Sequence, residues 1–332
     1  MKLSGLNILV TGGAGFIGSH LVDALMSAGA QVSVFDNLSN GKLENLSRHE
    51  GNKSLKFIRG DINDDKALDA ATKGIDVVFH LACLGVRHSI KHPLENHRVN
   101  AEGTLKLLEA AYRNKVKRFV YTSSSEVYGT AQHVPMKETH PTFPCTVYGA
   151  GKLAGEAYAR AYYLTYGLKT VMVRPFNTYG PRSHHEGDAG ELIPKSIVRA
   201  MNGESILVFG DGSQTRDFTY VEDMARGIIE AGACDKAVGL TLNIGSDSEM
   251  SINAVARAII KIVDGPSKIE NLGNRPGDVI RLYADTSELN KLTGWKPKVS
   301  FGDGLAKTVE YFKSRPEGPS VLLSQEKGMN WK

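Results

Sequence analysis

Tyr148 and Lys152 stand four residues apart in TVYGAGKLAGEAYARAY. On a helix they share one face, about a turn from each other. An ammonium at that distance favours a phenolate over a phenol, drawing a group with a free pKa of about 10 toward useful basicity. The pair therefore makes Tyr148 a candidate general base. Upstream, the stretch YTSSSEVYG (Tyr121–Gly129) carries three consecutive hydroxyls, Ser123, Ser124 and Ser125, and then a single carboxylate, Glu126. Hydroxyls at the C-terminal end of a central strand lie where open α/β sheets bind ligands, and one of them can share a proton with Tyr148 through a substrate. Glu126 has two readings: an acid or base working beside that tyrosine, or a solvated turn residue.

A second constellation opens the chain. The run NILVTGGAGFIGSHLVDAL places Gly12, Gly15 and Gly18 between an apolar strand and an amphipathic helix. One glycine permits the tight turn, one admits a pyrophosphate to the backbone and one lets helix and sheet pack closely, with the helix N-terminus facing the phosphate charge. The next strand ends at Asp36, eighteen residues after Gly18, where a carboxylate accepts hydrogen bonds from both hydroxyls of an adenosine ribose. Asn37 and Leu38 follow, and with no arginine beside the acid a 2′-phosphate is disfavoured, so the expected dinucleotide is NAD. Its positive nicotinamide would favour a Tyr148 phenolate further. Asp61 and Ile62, after the third strand, sit where an adenine can be held, or form a plain turn after Arg59-Gly60.

The elements that must position these groups follow from the rhythm of the first half. Short apolar runs (NILVTG, QVSVFD, LKFIRG, DVVFHLA, RFVYTSS, KTVMVRP) alternate with helical segments around 66–72, 100–113 and 148–166. The runs lack period-2 alternation, as strands do when helices cover both faces of a parallel sheet. The expected fold class is α/β, a Rossmann-like doubly wound parallel sheet with a smaller C-terminal substrate-binding lobe. Residues 1–175 would form the sheet domain carrying the catalytic groups. Residues 176–314, richer in Pro and Gly, would form mainly the lobe, with some segments returning to the sheet, and 315–332 would be a peripheral tail.

The 332 residues hold 41% apolar residues and 40 lysines and arginines against 36 acids, a net charge of +4 without a basic block. That balance points away from nucleic acid and anionic membranes and leaves anionic small molecules open. No run of about 18 apolar residues occurs, and the N-terminus lacks the hydrophobic stretch and cleavage site of a signal peptide, which suggests a cytoplasmic protein. Cys83, Cys145 and Cys234 lie far apart without CxxC spacing; they are expected to be buried thiols in a reducing compartment, with neither disulfide nor zinc. His184, His185 and Glu186 in RSHHEGDAG are adjacent, lack a third ligand and are read as a loop near the substrate; no metal is expected.

Taken together, TGGAGFIG, Asp36, HLAC, the serine cluster and YGAGK resemble the extended short-chain dehydrogenase/reductase superfamily, in its NAD-dependent nucleotide-sugar epimerase/dehydratase branch, over about residues 6–312. The likeness is greatest to UDP-glucose 4-epimerases. Two positions depart from the family's pattern, Gly151 for serine in YGxSK and Cys83 for alanine in HLAA, and neither removes a catalytic group. The resemblance implies Tyr148 as base, Lys152 as its support and Ser124 as its hydroxyl partner. It implies NAD contacts from Phe16, Ile17, Asn37, Leu81, Ala82 and Asn100 beside the glycines and Asp36. It also implies a substrate site with Ser124, Ser125, Asn177 near the sugar-diphosphate, Phe209 at the base, Arg216 and Arg275 at the diphosphate, and Asp278 at a ribose.

The branch's reactions begin alike, with proton loss from the sugar 4-hydroxyl and hydride transfer to NAD, leaving a 4-keto sugar and NADH. A 4-epimerase needs nothing more. A 4,6-dehydratase carries an adjacent Asp-Glu pair before VYG, where this chain has Ser125-Glu126. The hexuronate decarboxylases share Ser-Glu but have YDEGK where this chain has YGAGK. The expectation is a 4-epimerase of a nucleotide-sugar, a UDP-sugar first. The alternatives are a dehydratase or UDP-glucuronate decarboxylase using Glu126, or a non-catalytic NAD-binding regulator. The family also implies a homodimer formed by helices 100–113 and 148–165 in a four-helix interface.

Overall fold

The structure, a computed structural model, describes residues 1–275 and 277–330. The first half alternates β1 (Asn7–Thr11), α1 (Phe16–Ser27), β2 (Gln31–Asp36), β3 (Leu55–Arg59), α2 (Asp65–Thr72), β4 (Val77–His80), α3 (Val86–Lys91), α4 (Pro93–His97), α5 (Gly103–Arg113), β5 (Arg118–Thr122), α6 (Val147–Tyr166) and β6 (Thr170–Pro175). The second half adds β7 (Asn177–Tyr179), α7 (Leu192–Met201), β8 (Ile206–Phe209), β9 (Thr215–Tyr220), α8 (Val221–Ala233), β10 (Thr241–Ile244), β11 (Glu249–Ser251), α9 (Ile252–Val263), β12 (Ile269–Leu272), β13 (Arg281–Leu282), α10 (Ser287–Thr293), α11 (Phe301–Lys313) and α12 (Pro319–Gln325).

The main sheet has the order β10-β6-β5-β4-β1-β2-β3, and each neighbouring pair in it runs parallel. Its strands are apolar on both faces for a visible reason. Ile8 and Val10 pack into the layer of α1 and α8, whereas Leu9 between them packs into the layer of α2, α5 and α6. With both faces buried there is no side to leave polar, which is why period-2 alternation is absent. The fold class expected from the sequence is the one observed. The seventh strand, β10, comes from beyond Pro175, so the sheet is completed by the second half of the chain. The rest of that half builds a lobe around α7, α9 and α11, with Ile197, Val208, Ile259, Leu305 and Phe312 in its core.

Helix α6 is the element that carries the chemistry. Thr146 caps it by accepting from Gly149 N at 3.1 Å. It lies unusually close to β5: a Cβ on Gly155 would stand 2.2 Å from the Tyr121 hydroxyl, so only glycine admits this approach. Tyr121 Oη in turn donates to the Lys152 carbonyl at 3.1 Å. One residue beyond Gly155 along α6, Glu156 receives a forked contact from Arg174 of β6, Nε and Nη2 donating at 2.8 and 2.6 Å. Both side chains of that pair are buried.

Several expectations need correction. The segment expected to be a peripheral tail from 315 onward instead folds back: α12 buries Leu322 in the lobe core, and the Glu326 and Asn330 side chains are buried beyond it. The short Val-Leu-Leu run was too brief to show periodicity but supplies one anchoring leucine. Trp331 and Lys332 of that tail, and Pro276 of NRPGD, lie outside the described residues. The three thiols were expected to be buried, but Cys145 is exposed and Cys83 and Cys234 are partly so. The helix expected from Asn100 begins with a wider turn over 98–102 before α5. Among the described residues no helix is long and apolar enough to cross a membrane.

Removing one partner of the Arg174–Glu156 pair strands a buried charge. Glu156→Gln should lower the unfolding free energy by about 3 kcal/mol, measured by urea denaturation. The double replacement Glu156→Leu/Arg174→Met should cost clearly less than Glu156→Gln alone.

Candidate functional site

A single cavity of about 920 Å³ runs from the glycine loop across the C-terminal ends of the main sheet and under the lobe. At one end, β1 turns through Gly12 with φ of +69°, and a Cβ there would stand 2.7 Å from the Ala82 nitrogen. A Cβ on Gly18 would stand 2.1 Å from the Gly12 carbonyl oxygen, so the first turn of α1 can close on the loop only without a side chain. Gly15, Phe16, Ile17, Leu81 and Ala82 line the same end. Asp36, at the end of β2, is fixed by the backbone: Ala14 N and Leu38 N donate to its two carboxylate oxygens at 3.0 and 2.8 Å. Burial pushes its pKa up, against these two donors. Asn37 Nδ2 donates to Asp61 at 2.9 Å, and Asp61 and the buried Ile62 form the adjoining wall.

Asn100, expected at the cofactor, lies outside the cavity lining. It is a buried structural residue: Oδ1 accepts from Leu84 N at 2.9 Å, and Nδ2 donates to Leu84 O at 2.8 Å and to Asn96 at 2.9 Å. It pins the loop after β4, and so shapes the cavity from behind.

In the middle stands the catalytic group of the sequence analysis. Ser123, Ser124, Ser125, Glu126, Tyr148 and Lys152 all line the cavity. Lys152 is buried and its Nζ donates to the Thr122 carbonyl at 2.8 Å, 5.9 Å from the centre of the Tyr148 ring. Ser124 accepts from Glu126 N at 3.2 Å. The electrostatics differ from the expectation that Lys152 draws the phenol toward ionisation. Burial pushes Tyr148 well above its ordinary range, Cys83, Glu126 and Glu191 push it further, and a hydrogen bond with Ser124 pulls it back. Within the chain alone the phenol is held protonated. Glu126 is no solvated turn residue: it faces the cavity, and burial raises its pKa against the opposing pull of Arg216 and Arg275.

Toward the lobe, Arg216 Nη2 and Arg275 Nη2 both donate to Asp278 Oδ1, at 2.8 and 2.6 Å. Asp278, expected at a ribose, thus also gathers the two guanidiniums. Asn177 and Phe209 line the same end. His184 and His185 flank one carboxylate, with Nδ1 of each 3.2 and 3.1 Å from Glu186, and Lys42 closes on it at 2.8 Å. Burial opposes charge on His184, but Glu186 and Glu191 together outweigh it and raise its pKa. Among the described residues no cluster of His, Cys, Asp and Glu has the makings of a metal site.

Among the cavity residues that the sequence did not single out for a role are Arg87 and Glu191. Glu191 precedes α7, and burial pushes its pKa up to about 7. Their only signal in the sequence was position, Arg87 just after HLAC and Glu191 heading ELIPK. The polar atoms Thr122 Oγ1, Ser123 Oγ and Asn177 Oδ1 are buried without hydrogen-bond partners, which marks them as groups awaiting a ligand. Together with the glycine cradle and the Asp36 carboxylate, they fit a dinucleotide laid against a polar second ligand.

The profile of the family described as GDP-mannose 4,6 dehydratase matches residues 9–308. The chain is 37% identical to a UDP-glucose 4-epimerase of Mycolicibacterium smegmatis, covering 94% of this chain and all of that protein. It superposes with a TM-score of 0.88 and 37% identity on a UDP-N-acetylglucosamine 4-epimerase from Methanobrevibacter ruminantium M1 solved in complex with UDP-N-acetylmuramic acid, over 94% of this chain and 99% of that one. DesIV from Streptomyces venezuelae, a dTDP-glucose 4,6-dehydratase solved with NAD and TYD bound, superposes with a TM-score of 0.89 at 31% identity, over 95% of this chain and 100% of that one.

Gly18→Ala tests the loop, since its Cβ has no room without moving backbone. It should abolish dinucleotide binding, followed by quenching of protein fluorescence, and lower the melting temperature by several degrees.

Proposed function

The chain belongs to the GDP-mannose 4,6-dehydratase family of nucleotide-sugar-modifying enzymes, and on that footing we propose that it is an NAD-dependent nucleotide-sugar 4-epimerase, with a UDP-sugar as substrate. The observation that carries the reading is the composition of the cavity's centre: Ser124, Tyr148 and Lys152 meet at the end of β5, while the carboxylate pair that dehydration calls for has Ser125 as one of its two members. Gly12, Gly15, Gly18 and Asp36 would hold NAD, which would supply the hydride acceptor and donor for carbon 4.

The chain's own residues do the rest. Tyr148 Oη takes the proton of the sugar 4-hydroxyl once a positive ligand charge offsets its burial, and Ser124 shares that proton through the substrate oxygen. Lys152, tied to the Thr122 carbonyl, holds the phenol in line and keeps a positive charge beneath it. Arg216 and Arg275 grip the diphosphate, each able to offer a planar fork to its oxygens, and Phe209 flanks the base. The ketone then needs only to present its other face, and Tyr148 returns the proton. No second acid or base is required.

Lyase chemistry is the second reading, because Glu126 faces this cavity and its raised pKa suits a proton donor. The same family reading carries a cytoplasmic homodimer built on α5 and α6. Those helices leave Leu105, Tyr112, Leu164 and Tyr166 exposed, with the rings of Tyr112 and Tyr166 5.2 Å apart. A four-helix interface would cover them.

Incubating the protein and NAD with UDP-hexoses, UDP-N-acetylhexosamines and UDP-glucuronate should give a product of unchanged mass inverted at carbon 4, seen by proton NMR. Loss of water or carbon dioxide would sink the epimerase reading. Tyr148→Phe should lower kcat by at least about a hundredfold, and an unchanged rate would exclude it as base. Glu126→Gln should leave epimerisation within about tenfold; abolished product with continued cofactor reduction would favour the lyase.

Glu191 sets a pH dependence. Below about pH 7 it is protonated and neutral; above, it adds a negative charge to a cavity that receives an anion. The KM for the UDP-sugar should therefore rise as pH goes from about 6 to about 8, and Glu191→Gln should flatten that rise.

A further inference from the structure

A charged wall of the cavity, taken as the sugar wall, is built from two separate pieces of chain. One is α3, which brings Arg87; the other is the loop 184–191, which ends in Glu191. Arg87 has no hydrogen-bond or ion-pair partner among the described residues, and the Glu191 carboxylate likewise accepts no hydrogen bond there. Neither is locked by a neighbour, so each depends on the backbone beneath it for its place.

That backbone is fastened by the end of the chain. Asn330 is buried, and its Nδ2 faces three carbonyls of the loop, those of Gly190 at 2.9 Å, Gly187 at 3.3 Å and Asp188 at 3.4 Å. Its own Oδ1 is buried without a partner. Asp188 Oδ1 lies between two ammonium groups, Lys327 of the terminal segment at 3.1 Å and Lys91 of α3 at 3.4 Å. His185 Nε2 meets Gln325 Oε1 at 3.1 Å. The terminal segment is held in its turn from α7: Lys195 and Arg199 each reach Glu326 at 3.0 Å, and Lys195 Nζ also donates to the Gly328 carbonyl at 3.0 Å. Glu326 and Asn330 themselves line the cavity.

We infer that residues 325–330 form a strap that positions the sugar wall, with Asn330 as its chief positioning residue. The inference rests on the nucleotide-sugar reading of the site. The strap ties the 184–191 loop to α7 through side chains and, through Asp188, draws α3 into the same frame. Arg87 and Glu191 are thereby held at fixed places in the cavity wall. Asn330 touches neither substrate nor cofactor in this role; it acts through the carbonyls of residues 187, 188 and 190.

The test uses the full chain saturated with NAD, in which Asn330→Leu keeps the volume and removes the donors. Calorimetric titration with UDP-glucose and UDP-N-acetylglucosamine should show about tenfold weaker binding of both, while UDP and NAD bind within about twofold of the parent. The melting temperature should stay within about 2 °C, and Asn330→Gln, which retains the donor, should restore most of the lost affinity. Unchanged affinity for both UDP-sugars overturns the inference. So does an equal loss for UDP, or a fall in melting temperature that takes NAD and UDP binding down with it. Turnover separates this from the epimerase reading: if UDP-sugars bind but none is epimerised, that reading fails while the calorimetric comparison still decides the strap. If the parent binds no UDP-sugar, both fail.

Discussion

One hydrogen bond organises the centre of this molecule, the 2.8 Å contact from the Lys152 ammonium to the carbonyl of Thr122. It joins the helix that carries Tyr148 to the strand whose end carries the serines. The ammonium is buried, and among the described residues no carboxylate pairs with it. A buried unpaired charge is costly, so the arrangement persists only because the rest of the fold holds α6 against β5. Gly155 gives the clearance over Tyr121, Thr146 starts the helix at the right turn, and the Arg174–Glu156 fork ties it to β6.

The cost has a chemical use. In the chain alone, burial makes the Tyr148 phenol a poor acid, and the acids Glu126 and Glu191 nearby make it poorer. A resting phenol is thus kept from ionising. The arginines work the same way from the lobe. Arg216 and Arg275 converge on Asp278, which keeps two guanidiniums close together against their repulsion, and an incoming diphosphate takes over part of that neutralisation. The site is a set of charges arranged around partners that the ligands supply.

Much of this was legible in the sequence where one short segment determines its own geometry. The glycine loop, Asp36 and the Tyr148–Lys152 spacing are local patterns, and doubly buried strands announce themselves by missing alternation. What was not legible depends on packing between distant segments. Asn100 was expected at the cofactor from the family resemblance; its tie to the loop after β4 follows only from Leu84 and Asn96 closing on it. Arg87 and Glu191 belong to the cavity only because α3 and the 184–191 loop meet across it. The terminal segment has too little periodicity to declare itself, since its attachment is made by single side chains, Leu322, Glu326 and Asn330, each to a different partner. The burial that raises the Tyr148 pKa was illegible for a similar reason: spacing gives the proximity of Lys152, but burial is a property of the whole fold.

The build of the sugar wall bears on which chemistry the centre can run. Removing a proton from carbon 5 while protonating a leaving group asks for two acid–base groups held on one sugar atom pair in fixed register, so a rigid stretch of backbone should carry both. Here Glu126 follows Ser125 at the end of β5, and Glu191, a second cavity carboxylate, sits on a loop fastened by side-chain contacts. The two are carried by separate elements. A keto sugar that must turn between two faces has the opposite requirement: its nucleotide should be gripped firmly and its ring loosely. Arginines converging at the diphosphate end meet the first half of that requirement, and the placing of Glu126 and Glu191 on separate elements counts against dehydration independently of Ser125.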